Sequence, residues 1–237
     1  ITNAAMEPEI IDLVNCLNRM GAKIEGAGTS NVKITGVQKL RDISYNVMPD
    51  RIEAGSLLCM AAVTGGKVTL NNIILEHISP ILSKLEECGC KIEKGNNHVF
   101  LEAPKRLKAV DIKTMPYPGF PTDMQSVFAS ILTTAKGTSV IIENIFENRF
   151  KYMTELKKMG AKITIEGKTA IIKGVKKLSG ARVNSTDLRG GAALVTAALA
   201  SKGKTEITNI EYILRGYENL DKKLNNLGAN ILVKEGE

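Results

Sequence analysis

The sequence predicts an α/β fold turned inside out, with helices in the core and sheets facing water, built from a repeated unit of about 70 residues. Three observations predict it. One phrase occurs four times, as MGAKI at 20–24, CGCKI at 88–92, MGAKI at 159–163 and LGANI at 227–231, so that Gly21, Gly89, Gly160 and Gly228 are 68, 71 and 68 residues apart. Between these phrases lie three stretches of helical length with few or no charges, SLLCMAAVTGG (56–66), MQSVFASILTTAKG (124–137) and GAALVTAALASKG (191–203). A helix apolar nearly all round must be buried. The segments that follow, KVTLNNI and KTEITNI, alternate polar and apolar residues and so expose one face to water.

Each element has its own signal. Ahead of the four glycines run Ile10, Leu13, Val14 and Leu17; Ile78, Ile81, Leu82 and Leu85; Tyr152, Met153 and Leu156; and Leu220, Leu224 and Leu227. That spacing gives one apolar stripe per helix. Each glycine then stops its helix in the left-handed conformation, and the KI or NI that follows begins an extended segment. The water-facing strands are expected to finish in Asn-Ile, at Ile73, Ile145 and Ile210. The buried helices open on aspartates: Asp50 in MPDRIEAG, Asp123 in FPTDMQS and Asp187 in STDLRGG. On a purely local reading Thr122 is an N-cap, Gln125 completes a capping box, and Asp123 steadies the helix start by about 0.3–1 kcal/mol. Whether Asp123 only does this or also moves a proton is left open by the local pattern.

Composition narrows the class. The chain is 43% hydrophobic and 24% charged, and no apolar run approaches the roughly 18 residues of a membrane span. Membrane association is not expected, no secretory signal is visible, and the setting is expected to be cytoplasmic. The four cysteines, Cys16, Cys59, Cys88 and Cys90, lack zinc-site spacing and read as reduced packing thiols. The net charge of +7 points to an anionic partner. Scattered lysines and 4% aromatics argue against nucleic acid and leave a small phosphorylated substrate. Oligomeric state is not legible.

ITNAAMEPEI at the start aligns with ITNIEYILRGYE (207–218) and IIENIFENRF (141–150), the second halves of later repeats. Residues 1–48 are therefore expected to be the incomplete end of another lobe, and residues 49–237 a lobe of three units, the last without its closing strand.

The second helix of each repeat is expected to open on Glu7 and Glu9, His77, Arg149 or Arg215. Acids suit a helix N-terminus, whereas an arginine there needs a compensating anion. With equivalent helix starts gathered at one end, Asp50, Asp123, Asp187, Arg149, Arg189 and Arg215 should face one cleft. Helix N-termini and guanidinium forks make a phosphate or carboxylate site; structural ion pairs are the alternative. His77 and His98 offer no metal set, CGC reads as a helix end and not a redox pair, and neither a P-loop nor a dinucleotide fingerprint is present.

At FPTDMQ, IFENRF, TDLRGGAALVTAALA, RGYENLDKKLNNLGANI and NAAMEPEI, phrases spread over the whole chain, the sequence resembles the bacterial UDP-N-acetylglucosamine 1-carboxyvinyltransferases. The sibling family acting on shikimate phosphate shares the repeat but not these phrases. The resemblance implies the inside-out α/β (enolpyruvyl transferase) fold of two lobes with three units each. It also implies transfer of the enolpyruvyl group of phosphoenolpyruvate to the 3-hydroxyl of UDP-N-acetylglucosamine, with release of phosphate, at the start of peptidoglycan synthesis, and no cofactor. By that resemblance Asp123 binds the sugar nucleotide and takes the hydroxyl proton, Ile145 contributes a sugar-nucleotide contact, Thr122 lies beside the sugar, and Arg215 contacts phosphoenolpyruvate. Arg149, Asp187, Arg189, Asp50, Arg51 and Glu7 are implied to border the cleft. Close approach and partial desolvation are expected to raise the basicity of Asp123. The family's reactive cysteine and its mobile loop have no match among the four cysteines here, so the chain alone is expected to show no turnover.

Overall fold

A computed structural model describes residues 1–234. The chain opens with α1 (Pro8–Arg19) and the antiparallel hairpin β1 (Lys23–Glu25) and β2 (Lys33–Thr35), followed by residues 36–50 without regular structure. A first unit comprises α2 (Arg51–Val63), β3 (Lys67–Asn71), α3 (Leu75–Glu87), β4 (Lys91–Lys94) and β5 (His98–Glu102). A second comprises β6 (Ile112–Lys113), α4 (Thr122–Leu132), β7 (Thr138–Ile142), α5 (Lys151–Lys158), β8 (Lys162–Glu166) and β9 (Thr169–Lys173). The third holds β10 (Leu178–Ser179), β11 (Arg182–Asn184), α6 (Leu188–Leu199), β12 (Ser201–Lys202), β13 (Glu206–Thr208), α7 (Glu211–Leu214) and α8 (Leu220–Asn226).

The layers are those the repeat demands. Helices α2, α4 and α6 pack on one another, and Leu58, Cys59, Met124, Val127, Phe128, Ile131, Leu132, Ala192, Ala193, Leu194 and Ala197 are fully buried among them. Each large apolar side chain removed from water contributes about 1.5–3 kcal/mol. Close approach is possible because Gly55 has no side chain: a Cβ there would come within 3.0 Å of Met124 Sδ. Outside this bundle lie the sheets, ordered β3-β5-β4 and β6-β7-β9-β8, with the third unit contributing the parallel pairs β10-β12 and β11-β13. Arg106 fastens neighbouring units, donating from Nε to the Thr134 carbonyl at 2.9 Å and from Nη2 to the Ala135 and Val175 carbonyls at 3.0 and 3.2 Å.

The amphipathic helices bury the predicted stripes on α3 and α5. Two positions depart from expectation. Leu227 on the last stripe is 63% exposed, and on α1 only Val14 of the four is buried while Leu13 is 54% exposed. These helices have less packed against them than α3 and α5 do.

All four repeat glycines have left-handed φ, +105°, +97°, +94° and +98° in chain order. Each closes its helix with a paired turn: the glycine N–H reaches the carbonyl three residues back, and the next N–H the carbonyl five back, as in Gly160 to Lys157 at 2.9 Å and Ala161 to Leu156 at 3.1 Å. Extended segments follow at β1, β4 and β8, but residues 229–234 form no strand. In the first two units that segment pairs with a hairpin strand, β5 or β9; residues 229–234 have no such partner among the described residues.

The strands also end earlier than the Asn-Ile pattern suggests, at Asn71, Ile142 and Thr208. Asn72 and Asn209 both take φ +56°, a left-handed turn that an extended strand cannot hold and that asparagine tolerates. Asn3 repeats the device at φ +52°, which places ITNAAM in structural register with ITNIEY.

The cysteines are free, with Cys59, Cys88 and Cys90 buried and Cys16 half-buried. Burial pushes the Cys88 and Cys90 thiols up to about 12 and about 11, so they are unreactive packing groups. No helix among the described residues is long and apolar enough to cross a membrane.

Candidate active site

The first turns of α2, α4 and α6 are built differently, although the sequence treats them alike. Asp50 caps α2, accepting from the N–H groups of Ile52 and Glu53 at 2.7 and 3.1 Å. Asp187 caps α6, accepting from Gly190 N–H at 2.8 Å and from the Thr186 hydroxyl at 2.9 Å. On α4 the capping position is Pro121, which makes no side-chain cap, and Asp123 lies inside the first turn. The capping box expected of Thr122 and Gln125 does not form. Thr122 is itself the first helical residue, and its hydroxyl donates to Glu143 Oε2 at 2.9 Å. Gln125 is fully buried, with Oε1 accepting from the Tyr152 hydroxyl at 3.0 Å and Nε2 left without a partner.

Released from capping, the Asp123 carboxylate is gripped from both sides. Arg149 Nη2 donates to Oδ1 at 2.6 Å, and Arg189 donates to Oδ2 from Nη2 at 2.9 Å and Nε at 3.2 Å. Both guanidinium side chains are largely covered, at 17% and 15% exposure, against 38% for the acid. Burial alone would push the carboxyl up, but the charges and hydrogen bonds of Arg189 and Arg149 override it and hold the group below its usual range. Desolvation does push its basicity up, as expected, but the two arginines outweigh that push. The arginines are braced in turn. Arg149 lies over the Phe146 ring, 4.7 Å from its centroid. Arg189 lies 5.8 Å from the Tyr217 centroid and donates to the Tyr217 hydroxyl at 3.4 Å, and that hydroxyl also meets Ser56 Oγ at 2.9 Å.

The other expected residues divide. Arg51 is nearly buried and pairs with Glu9, donating to both its oxygens at 2.8 and 3.0 Å. Glu9 is close enough to Asp123 for the two charges to repel. Glu7 occupies the cap position of α1 without capping it. Ile145 presents a side chain 39% exposed, and its N–H is held by Glu143 Oε1 at 2.8 Å. Arg149 precedes α5, whose cap residue is Phe150, and so does not open that helix. Arg215 does not open a helix either: it follows the last turn of α7, where a cation is favourable, so it needs no anion on that ground. Exposed, it lies 5.9 Å from the Tyr212 ring centroid and makes no ion pair with Asp123.

Sequence reasoning therefore found the acid and its two arginines. It passed over Glu143 and Tyr217, and left Glu9 outside the site. Tyr217 sits within the RGYEN phrase and was open to discovery; Glu143, at the end of a strand, carried no local signal. A cavity of about 410 Å³ lies away from this cluster, between α3 and the β6–β7 edge, lined by Pro80, Lys84, Lys113, Phe120 and Ile142 among others. Among the described residues no group of three or more metal-binding side chains comes together.

Comparison with known proteins bears on the fold and the family. A UDP-N-acetylglucosamine 1-carboxyvinyltransferase 1 from Caldanaerobacter subterraneus subsp. tengcongensis is 54% identical over 99% of this chain and 56% of its own length. A UDP-N-acetylglucosamine 1-carboxyvinyltransferase from Geobacter metallireducens is 53% identical over 98% of this chain and 55% of its own. The chain thus spans a little over half the length of these curated relatives. Among solved structures, the enolpyruvyl transferase NikO from Streptomyces tendae superposes with a TM-score of 0.84 at 27% identity, over 97% of this chain and 55% of that one. An EPSP synthase from Acinetobacter baumannii shares the fold, with a TM-score of 0.72 at 21% identity over 92% of this chain and 54% of that one. Repeated units with buried helices and outer sheets make up the enolpyruvyl transferase fold that these neighbours share. Since the model of the EPSP synthase (3-phosphoshikimate 1-carboxyvinyltransferase) family matches residues 1–224, the chain belongs to that family.

Proposed function

We propose that this chain is the acid-bearing part of a UDP-N-acetylglucosamine 1-carboxyvinyltransferase, with residues 49–234 forming one lobe, residues 1–48 the end of another, and residues 235–237 lying outside the described residues. The observation that carries the reading is Asp123, gripped by Arg149 and Arg189 beside Thr122, in a chain 52–54% identical to relatives of that name. The reaction joins the sugar 3-hydroxyl oxygen to C2 of phosphoenolpyruvate while Asp123 accepts the hydroxyl proton and the methylene carbon gains one. Phosphate then leaves as the resulting methyl group gives up a proton, and the enol ether remains. A carboxylate serves as base only from its ionised form, and the two guanidinium groups secure that form. They also weaken it, so its basicity rises when an anionic substrate draws a guanidinium away. The acid that protonates carbon comes from the part of the protein outside this chain. The setting is the bacterial cytoplasm, at the entry to peptidoglycan synthesis.

The test is phosphate release from phosphoenolpyruvate by the full-length protein, with UDP-N-acetylglucosamine and shikimate 3-phosphate as competing acceptors. Turnover with the sugar nucleotide is expected, and this chain alone should show none. Turnover only with shikimate phosphate would move the protein to the sibling activity. A correctly folded full-length protein silent with both would end the reading.

A further inference from the structure

We propose that Glu143 is a positioning residue that holds Arg149 against Asp123 through the hydroxyl of Thr122, a role that rests on the reading of Asp123 as the base. Glu143 directly follows strand β7 and is 1% exposed, yet its carboxylate has no cationic partner among the described residues. Four neutral donors satisfy it instead. Oε1 accepts from the Thr114 hydroxyl at 2.8 Å and from the N–H groups of Ile145 and Phe146 at 2.8 and 3.2 Å, and Oε2 accepts from the Thr122 hydroxyl at 2.9 Å. A buried charge satisfied this way is strongly committed to its geometry.

Two consequences meet at the acid. The Ile145 and Phe146 bonds pin the start of the loop that ends in Arg149, and Phe146 supplies the ring against which that guanidinium rests. An ionised carboxylate only accepts, so the Thr122 hydroxyl must spend its single proton on Glu143 and offers lone pairs elsewhere. Arg149 Nη1 takes up that offer at 3.1 Å, and its Nη2 is thereby set on Asp123 Oδ1. The direction of one hydroxyl thus fixes which way the arginine faces. The charged groups around Asp123 are Arg149 ahead of α5, Arg189 on α6 and Glu9 on α1; only Arg149 is reached through this relay.

Glu143→Gln tests it. The glutamine can keep Oε1 for Thr114 and the loop N–H groups while its amide donates toward Thr122, which removes the demand for the hydroxyl proton and turns that proton toward Arg149. The Asp123 carboxyl titration, followed by carbon-detected NMR on the 237-residue chain, should move up by about half a unit to one unit. Thr122→Val should reproduce the shift with the other Glu143 bonds intact, and Thr122→Ser should leave the titration where it was. A role in stability alone would move unfolding and not this midpoint. In the full-length enzyme Glu143→Gln should lower kcat by about 10- to 100-fold with a smaller change in KM. An Asp123 midpoint unmoved in both Glu143→Gln and Thr122→Val overturns the proposal. A wild-type enzyme without turnover overturns the functional reading alone, and the titration still decides the relay.

Discussion

Arg51 and Glu9 form a fork across the junction of α2 and α1, with Nε and Nη2 of the arginine donating at 3.0 and 2.8 Å to the two carboxylate oxygens. Their burial is lopsided, at 7% exposure for Arg51 and 52% for Glu9. Removing Glu9 strands a covered guanidinium, whereas removing Arg51 leaves a carboxylate that water can solvate. Glu9→Ala is expected to destabilise the chain by about 1–3 kcal/mol and Arg51→Met by less than about 1 kcal/mol, measured by denaturant unfolding. Burial pushes the Glu9 carboxyl up, but the Arg51 hydrogen bond and charge bring it down on balance. Its contribution is therefore present above the unfolded value of about 4.3 and lost as pH falls through the lower folded value. The difference between wild type and Glu9→Ala should shrink in that acid window and not above it.

The grip on Asp123 gives a kinetic signature. Its carboxyl is held down by Arg189 and Arg149 against the upward push of burial. In the full-length enzyme the acid limb of kcat/KM should fall below the ordinary aspartate value of about 3.9, because that limb reports the free enzyme. Arg189→Gln should raise it by about one unit. A limb unmoved by that substitution would assign the titration to another group.

Inside α4 and α5, Tyr152 donates to Gln125 Oε1 at 3.0 Å while Gln125 Nε2 has no partner. Tyr152→Phe alone leaves the amide oxygen unpartnered as well and should cost about 1–3 kcal/mol. Gln125→Leu alone leaves the buried phenol unpaired, with a similar loss. The double substitution removes every orphaned group and should come within about 1 kcal/mol of wild type. A double-mutant cycle on unfolding free energies reads this directly, and additive losses would contradict it.

Thiol chemistry separates the four cysteines. Cys59, Cys88 and Cys90 are buried, and burial raises all three thiols, Cys88 to about 12 and Cys90 to about 11. Native alkylation near pH 8 should label Cys16 alone, with the other three reacting only on unfolding. Intact mass after brief exposure to iodoacetamide counts the labels.

Much of the architecture was legible because it rests on local chemistry. A glycine after an amphipathic run stops a helix wherever it occurs, and Gly160, with φ +94°, does so without any neighbour to consult. An uncharged helix such as 191–199 has nowhere to go but the core. Where a local rule ran out, a tertiary contact had replaced it. Thr122 was a good N-cap by its neighbours, but Glu143 took its hydroxyl.

By itself, the sequence determined the repeat, the buried and wetted layers, the helix stops and the presence of an acid at the head of α4, since each depends on residues within one turn or one strand. Only the tertiary structure decided what that acid touches. Its cations come from 26 and 66 residues away, and a carboxylate's partners at such separations are set by how units pack, which no local pattern of charge encodes. The same holds for Arg51, whose partner Glu9 lies 42 residues earlier in the chain.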